Sequence, residues 1–341
     1  MPIAFSTFTA TPNDPLSLQV GQILSNSNKY AITTWWNWVK HFDSQSGNQY
    51  LDFGGTDEPN IRPATAEAVA LATSIRLGQY NPTATGVPLA TAKAETEKLI
   101  ASLAHAHYSN TATGGWGTPA AAPASGGPGW QTAEWAAQTA LAGWIFWDYL
   151  TPTEQTQVRN LVEAEANRFI GWTVPYYRDL TGRVRYPGDS KAEEVAWDGN
   201  ILQVATAMLP NHVNYSAWMQ KRIEISLASY SRPSDVTSTN GVKVVNGKTL
   251  STWLKGSDSY DDGTLTNHNI IHPDYMAFPI ETGLGVVTQS LAHRATPYAD
   301  VRGGVFYQAL VDQTWTPGAK PDEYNVDSLI RPTIASPGGH I

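Results

Sequence analysis

The chain has no cysteine among its 341 residues, which excludes disulfides and thiolate chemistry but does not fix a compartment. It also has no apolar run near the roughly 18 residues that a membrane-spanning helix needs. Charged residues are scarce at 15%, yet hydrophobic residues reach 41%, so the composition is that of a folded protein rather than a disordered one. Positive charge is in deficit. The formal net charge is −8, which argues against general nucleic-acid binding because phosphate backbones need a basic surface. A polyanionic ligand would require arginines to gather locally. The opening "MPIAFSTFTATPNDP" lacks the basic segment and long apolar core of a secretory signal. Either the protein stays inside the cell, or a signal has been removed. Few lysines, much Ser/Thr/Asn and 13 tryptophans point to a secreted bacterial protein, a profile common among carbohydrate-active proteins.

What is present is mostly helical patterning. "TAEWAAQTALAGWIFWDYL" places Trp135, Thr139, Ala142, Phe146 and Tyr149 on one face and Leu141, Trp144 and Trp147 on others, so this helix should be buried all round. It stops at "LTPTEQ", where Thr151 caps, Pro152 takes the first helical position and Glu154 closes a capping box. The next helix shows Val158, Leu161, Val162 and Phe169 on one stripe, completing an αα-hairpin. Similar patterns predict helices near 15–43, 63–79, 86–109, 131–149, 152–170, 190–208, 214–230, 278–293 and 298–313. Strand signals are rare; "VKVVNGKTL" predicts one hairpin turning at Asn246-Gly247. No fixed-period repeat is visible.

Unequal helical hairpins of this kind predict an all-α fold, an incomplete α/α toroid occupying 1–341 as one domain, with apolar inner and amphipathic outer helices. A functional site would then lie in the long polar loops at one end, 110–130, 173–189 and 231–268. The chain stops on "SPGGHI" without a closing element, as the N-terminal part of a longer protein would.

Two stretches concentrate chemistry. In "GDSKAEEVAWDGNILQVATAML", Asp189, Glu193, Glu194 and Asp198 could form a catalytic carboxylate group. Ser190 followed by Glu193 also reads as a capping box, with the acids complementing the helix dipole. Asn200 shares the Trp197 face of this helix and, once buried, needs a hydrogen-bond partner.

The second stretch is "DDGTLTNHNIIHPDY", residues 261–275. His268 and His272 stand four apart, as a helical metal pair would, but Pro273 argues against a continuous helix and no third ligand follows. Asp258, Asp261 and Asp262 resemble a calcium loop only loosely and equally suit an irregular turn. The remaining reading is proton transfer, in which histidine and tyrosine share a proton at a substrate carbon.

This order of residues is similar to that of the family eight polysaccharide lyases, the hyaluronate, chondroitin AC and xanthan lyases. "DGTLTNH" resembles the family's "DGSxxxH", and Tyr275 matches the tyrosine that follows as base and acid. "WDGNILQVATAML" resembles the helix carrying "GxNrxD", whose asparagine falls on Asn200, and "VRGGVFYQ" resembles "RGRxxSR", placing its arginine at Arg302. The resemblance spans roughly 115 to 310. It departs where "MAFP" replaces a glycine-tyrosine-glycine run, where one arginine of the pair is missing, and where the family's β-sandwich domain is absent.

The resemblance implies an incomplete α/α toroid that cleaves a uronate polysaccharide by β-elimination without metal or cofactor. Asn200 would neutralise the carboxylate, Tyr275 and His268 would move the proton, and Arg302 would grip the substrate and lower the pKa of the tyrosine. Trp116 and Trp130, set in a Gly/Pro/Ala loop, are the candidate sugar platforms, joined by Trp135 and Trp197; "TTWWNW" at 33–38 reads mostly as core. Asn267 and His272 complete the substrate-binding set. The expected partner is an anionic polysaccharide met by a monomer, with no nucleic acid and no membrane. Two other functions remain open: a toroidal glycoside hydrolase using Glu193, Glu194 or Asp198 with Asp261 or Asp262, and a non-catalytic glycan-binding module.

Overall fold

A computed structural model describes residues 2, 14–119, 129–237, 241–277 and 284–294. The protein is mostly helical. In chain order the helices are α1 (Pro15–Lys29), α2 (Glu58–Arg76), the short α3 (Pro82–Thr85), α4 (Leu89–His105), α5 (Thr132–Ile145), α6 (Pro152–Arg168), α7 (Ala192–Met208), α8 (Tyr215–Ser229), the short α9 (Pro233–Val236), α10 (Leu250–Trp253) and α11 (Pro273–Ala277), and α12 (Leu284–Leu291). Six two-residue strands make three antiparallel pairs: β1 (Arg178–Asp179) with β4 (Gly256–Ser257), β2 (Val244–Val245) with β3 (Lys248–Thr249), and β5 (Thr266–Asn267) with β6 (Ile270–Ile271).

The lack of a continuous polar face on α5 and α7 decides the packing. Every residue of α7 is buried, as are all of α5 except Glu134 and Gln138. Helices with no polar face must be surrounded. Accordingly α5 packs against α2, α4, α6 and α7, and α7 packs against α5, α6, α8 and α12. Helices α4, α6 and α8 keep partly exposed faces and form the outer cover. Val158, Leu161, Val162 and Phe169 are fully buried, so the stripe read from sequence is the packed face of α6. The Thr151–Glu154 capping box is present in both directions. No helix among the described residues is long and apolar enough to cross a membrane.

Two boundaries differ from expectation. The helix predicted at 63–79 begins at Glu58, because Pro59 sits in the first turn and Pro63 is accommodated one turn later. The helix predicted over 15–43 ends its α-form at Lys29 and widens into a π-helix over Tyr30–Val39, where Lys40 N–H reaches the Trp35 carbonyl at 2.9 Å. Trp35 and Trp36 pack edge-on against Phe42, at 5.4 and 5.2 Å. Trp38 does not join them: it is 78% exposed, so the "TTWWNW" cluster divides into core and surface.

One polar cluster lies deep inside. His107 Nε2 and Glu165 Oε1 are 3.1 Å apart with both side chains fully buried, and Arg168 donates to Glu165 at 2.8 Å and to the Thr132 hydroxyl at 2.8 Å. Burial alone would raise the Glu165 carboxyl, but Arg168 and His107 outweigh it and hold the carboxyl below its usual range. The cluster ties the end of α6 to the start of α5.

Candidate active site

The site is built on a hairpin that the sequence pattern did not signal. Strands β5 and β6 are joined by His268 and Asn269 alone, and both residues have left-handed backbones, φ 49° and 64°. Two consecutive left-handed residues make the type I′ turn that matches strand twist. Histidine tolerates this conformation poorly beside glycine, at a cost of about 1 kcal/mol or more. A left-handed histidine that the surroundings hold in place is the kind of strain that collects at functional sites.

Three hydrogen bonds pin the hairpin to the start of α7. Asn269 N–H donates to the Gly188 carbonyl at 2.9 Å, Ser190 N–H donates to the Thr266 carbonyl at 2.7 Å, and the Asn267 amide donates to Glu193 Oε2 at 3.0 Å. Gly188 is required here. Its φ is +74°, and a Cβ would stand 1.9 Å from Asn269 Oδ1. The capping box expected from Ser190 and Glu193 is not formed: α7 starts at Ala192 with Lys191 at its cap position, and Glu193 instead holds Asn267. Ser190 Oγ accepts from Ala192 N–H at 3.2 Å and donates to the Asp258 carbonyl at 2.6 Å.

Pro273 then opens α11, which carries Tyr275 back toward the turn. His268 Nε2 and the Tyr275 hydroxyl are 2.8 Å apart. His268 is exposed while Tyr275 is 4% exposed, its ring set among Ala192, Tyr230, Leu265, Ile271 and Met276. The His272 ring lies edge-on to Tyr275 at 4.4 Å. His268 and His272 therefore meet through Tyr275, not as a helical pair. Among the described residues no three His, Asp or Glu side chains converge as a metal ion would need.

Comparison with protein families, with curated proteins and with solved structures gives no match. The geometry alone carries the functional argument.

Of the acids near the start of α7, Glu193, Glu194 and Asp198 are buried and Asp189 keeps open surface. Lys191 is fully buried and donates to Asp189 and, at 3.1 Å, to Glu194. Burial would depress Lys191, but these two acids outweigh it and hold it above its ordinary value. Burial pushes Glu194 up to about 7 against the pull of Lys191. Burial pushes Asp198 and Asp258 well above the carboxylate range. Asp258 accepts from Tyr177 N–H at 2.7 Å, Asp261 from Ser234 N–H at 2.9 Å, and Asp262 from Thr264 N–H at 3.0 Å. These three serve an irregular turn.

The remaining candidates divide. Asn267 precedes His268 in the chain, with its buried side-chain amide given to Glu193. Asn200 is 3% exposed and accepts from the Gln203 amide at 3.3 Å; it lies seven residues beyond Glu193, about 10 Å along α7. Trp116, expected on an open loop, is a core residue: it is 1% exposed and its indole N–H donates to the Leu103 carbonyl at 2.9 Å. Trp135 and Trp197 are buried as well. Trp130 is half-buried and edge-on to Trp197 at 5.7 Å, so it alone of these four keeps appreciable open surface. Arg302 lies outside the described residues.

Proposed function

We propose that the protein is a polysaccharide lyase acting on a uronate-containing glycan, its helices arranged as an incomplete α/α toroid. The 2.8 Å contact between His268 Nε2 and the Tyr275 hydroxyl carries this reading. β-Elimination needs a base for the uronate C5 proton and an acid for the departing glycosidic oxygen, both on one face for a syn reaction. Tyr275, with its proton passed to His268, takes the C5 proton. The C–H electron pair forms the C4–C5 double bond, the C4–O bond breaks, and the leaving oxygen collects the proton from Tyr275. An amide or arginine must neutralise the carboxylate so that charge can develop at C5. Asn267 is the amide that precedes His268 in the chain; the resemblance gives the role to Asn200 and Arg302, and substrate bound further along α7 would be needed for Asn200 to share it.

The helix order supports the ring arrangement: buried α5 and α7 pack side by side beneath partly exposed α4, α6 and α8. Trp130 beside Trp197 places the starts of α5 and α7 at one end, the end that also holds the hairpin. The substrate and the extracellular setting are part of the same proposal.

The test is far-ultraviolet absorbance during incubation with a panel of uronate polysaccharides, with Tyr275→Phe as control. Rising absorbance from an unsaturated uronate, reduced at least 100-fold in the variant, is the expected result. Reducing ends without absorbance would instead favour a hydrolase. Binding without any product would leave a glycan-binding module.

A further inference from the structure

A second feature lies in two of the polar loops expected to hold a site, 173–189 and 231–268, though no motif marks its residues. A cleft of about 470 Å³ opens between the segment 172–186 and Lys255. That volume falls within the roughly 300–1,000 Å³ of small-molecule sites. Trp172 and Tyr176 form its buried floor, Tyr186 is half-buried in its wall, and Arg185 and Lys255 stand exposed at its rim. An aromatic floor with cationic edges suits a sugar ring that carries a carboxylate: the apolar ring face stacks and the anion meets the rim.

The cleft is rigidly made. The Trp172 ring packs edge-on to Phe169 at 5.2 Å, and its carbonyl accepts from Lys221 Nζ at 2.7 Å. β1 pairs with β4 directly beneath, and Gly256 fits because a Cβ there would stand 2.1 Å from the Arg178 carbonyl and 2.5 Å from Tyr176 Cβ. The one acid in the lining is already engaged. Asp179 accepts from Thr181 N–H at 2.9 Å, from the Thr181 hydroxyl at 2.6 Å and from Arg183 N–H at 3.2 Å. Its other oxygen lies 3.6 Å from Arg185. Asp179 stays charged and pairs with Arg185, so with Lys255 the lining carries two positive charges against one negative, in a chain whose net charge is −8.

The cleft is linked to the His268–Tyr275 pair through the chain. Tyr186 lines it, and two residues later Gly188 holds Asn269 beside His268, no more than about 7 Å of chain away. We propose that this cleft is a binding subsite for an acidic sugar unit flanking the one that is cleaved, with Trp172, Tyr176 and Tyr186 stacking its ring and Arg185 and Lys255 holding its carboxylate. This rests on the lyase reading for the word "flanking"; recognition of an acidic sugar by the cleft stands without it.

The experiment separates the two. Binding is followed by isothermal titration, using Tyr275→Phe protein so that no turnover intrudes, with oligogalacturonate, hyaluronan and chondroitin oligosaccharides as acidic probes and cello-oligosaccharides as the neutral control. The double variant Arg185→Gln/Lys255→Gln is compared with Tyr186→Ala. The expected result is that at least one acidic probe binds, that each variant weakens it tenfold or more, and that only the charge variant lowers its salt dependence. Circular dichroism checks that both variants fold; the two charged residues are exposed, so their loss should not unfold the chain. An acidic probe whose affinity neither variant changes would overturn the subsite while leaving the His268–Tyr275 reading intact. Equal binding of the neutral control would overturn the acidic-sugar assignment, and so would no binding of any acidic probe. Loss of the absorbance signal in Tyr275→Phe is scored separately, so failure of the lyase reading shows there and not in the titration.

Discussion

Among the described residues are two hairpins with the same backbone and opposite sequence logic. Between β2 and β3 the turn residues are Asn246 and Gly247, φ 46° and 76°, the pair that type I′ geometry favours most. Between β5 and β6 they are His268 and Asn269, φ 49° and 64°. The first turn projects into solvent, and its strands are held by ordinary surface packing such as Lys248 over Trp253 at 4.3 Å. The second has buried flanks, three hydrogen bonds to the segment entering α7, and a histidine whose ring reaches a tyrosine on the next helix. A turn that only needs to turn takes Asn-Gly. His41 and His293 are left-handed too, so what sets the second turn apart is the contact its histidine makes with Tyr275, and that contact is the case for the proposed site at 268.

The largest expected effect comes from making the second turn like the first. His268→Asn with Asn269→Gly keeps the left-handed backbone and the Asn269 N–H donor, and removes only the imidazole and one side-chain amide. Turnover of a uronate polysaccharide should fall 100-fold or more, while the thermal midpoint stays constant or rises by the equivalent of about 1 kcal/mol. A large fall in stability with unchanged turnover would show that the histidine is structural, and the comparison would collapse.

Next in size is Gly188→Ala. The added Cβ meets Asn269 Oδ1 at 1.9 Å on a residue whose φ is +74°, so either the loop or the hairpin must move. Stability should drop by about 1–3 kcal/mol, and turnover should fall further than global unfolding explains because the His268 position is lost. Urea denaturation beside an activity assay at a fixed folded fraction reads both. Turnover that simply follows the folded fraction would mean that docking to Gly188 does not set the geometry of the pair.

How much of this was legible in the sequence follows from the same contrast. Helices announce themselves through periodicity, so α5, α6, α7 and α8 fell within a few residues of expectation, and Thr151-Pro152-Glu154 gave its cap directly. Asn246-Gly247 gave its turn for the same reason. His268-Asn269 could not, because neither residue type demands a turn; only the left-handed backbone reveals it. The contact between His268 and Tyr275 was nonetheless foreshadowed by their closeness in sequence. Trp116 misled because its loop is rich in glycine and alanine, yet the indole turns inward to the Leu103 carbonyl. The cleft falls in loops 173–189 and 231–268, where a site was expected, but no motif marks its residues: of Arg178, Arg183 and Arg185, which fall within eight residues, only Arg185 lines it.

Stability comparisons between the hairpins are sharpened by choosing the pH. Glu134 lies at the start of α5, mostly buried, and burial pushes its carboxyl up to about 7 from its ordinary value near 4.5, against the opposing pull of Arg62. A carboxyl raised on folding favours the folded state fully below about 4.5 and loses that contribution as pH rises toward 7. Wild-type stability should therefore decline across that window. Glu134→Gln should flatten the decline and be more stable than wild type at pH 8 by on the order of 1–3 kcal/mol, with little difference at pH 4. Chemical denaturation at both pH values checks the sign. A variant less stable at pH 8 would show that the charged carboxylate is wanted there.

The smallest effect belongs to the reverse exchange, Asn246→His with Gly247→Asn. The backbone still needs two left-handed residues, and both substitutes tolerate that conformation less well than the pair they replace, by about 1 kcal/mol in total. The turn is exposed, so no clash adds to the cost, and no hydrogen bond from either side chain reaches another element. Thermal unfolding should fall by a few degrees at most, and turnover of the uronate substrate should not change. If this exchange instead costs several kcal/mol, then His-Asn is a far worse turn than the second hairpin suggests, and the three bonds to Gly188, Ser190 and Glu193 must be supplying more than the roughly 1 kcal/mol each that such bonds ordinarily contribute. Unchanged stability would carry the opposite lesson: His268 would sit in its turn without strain, and the contact with Tyr275 would be left as the sole mark of function.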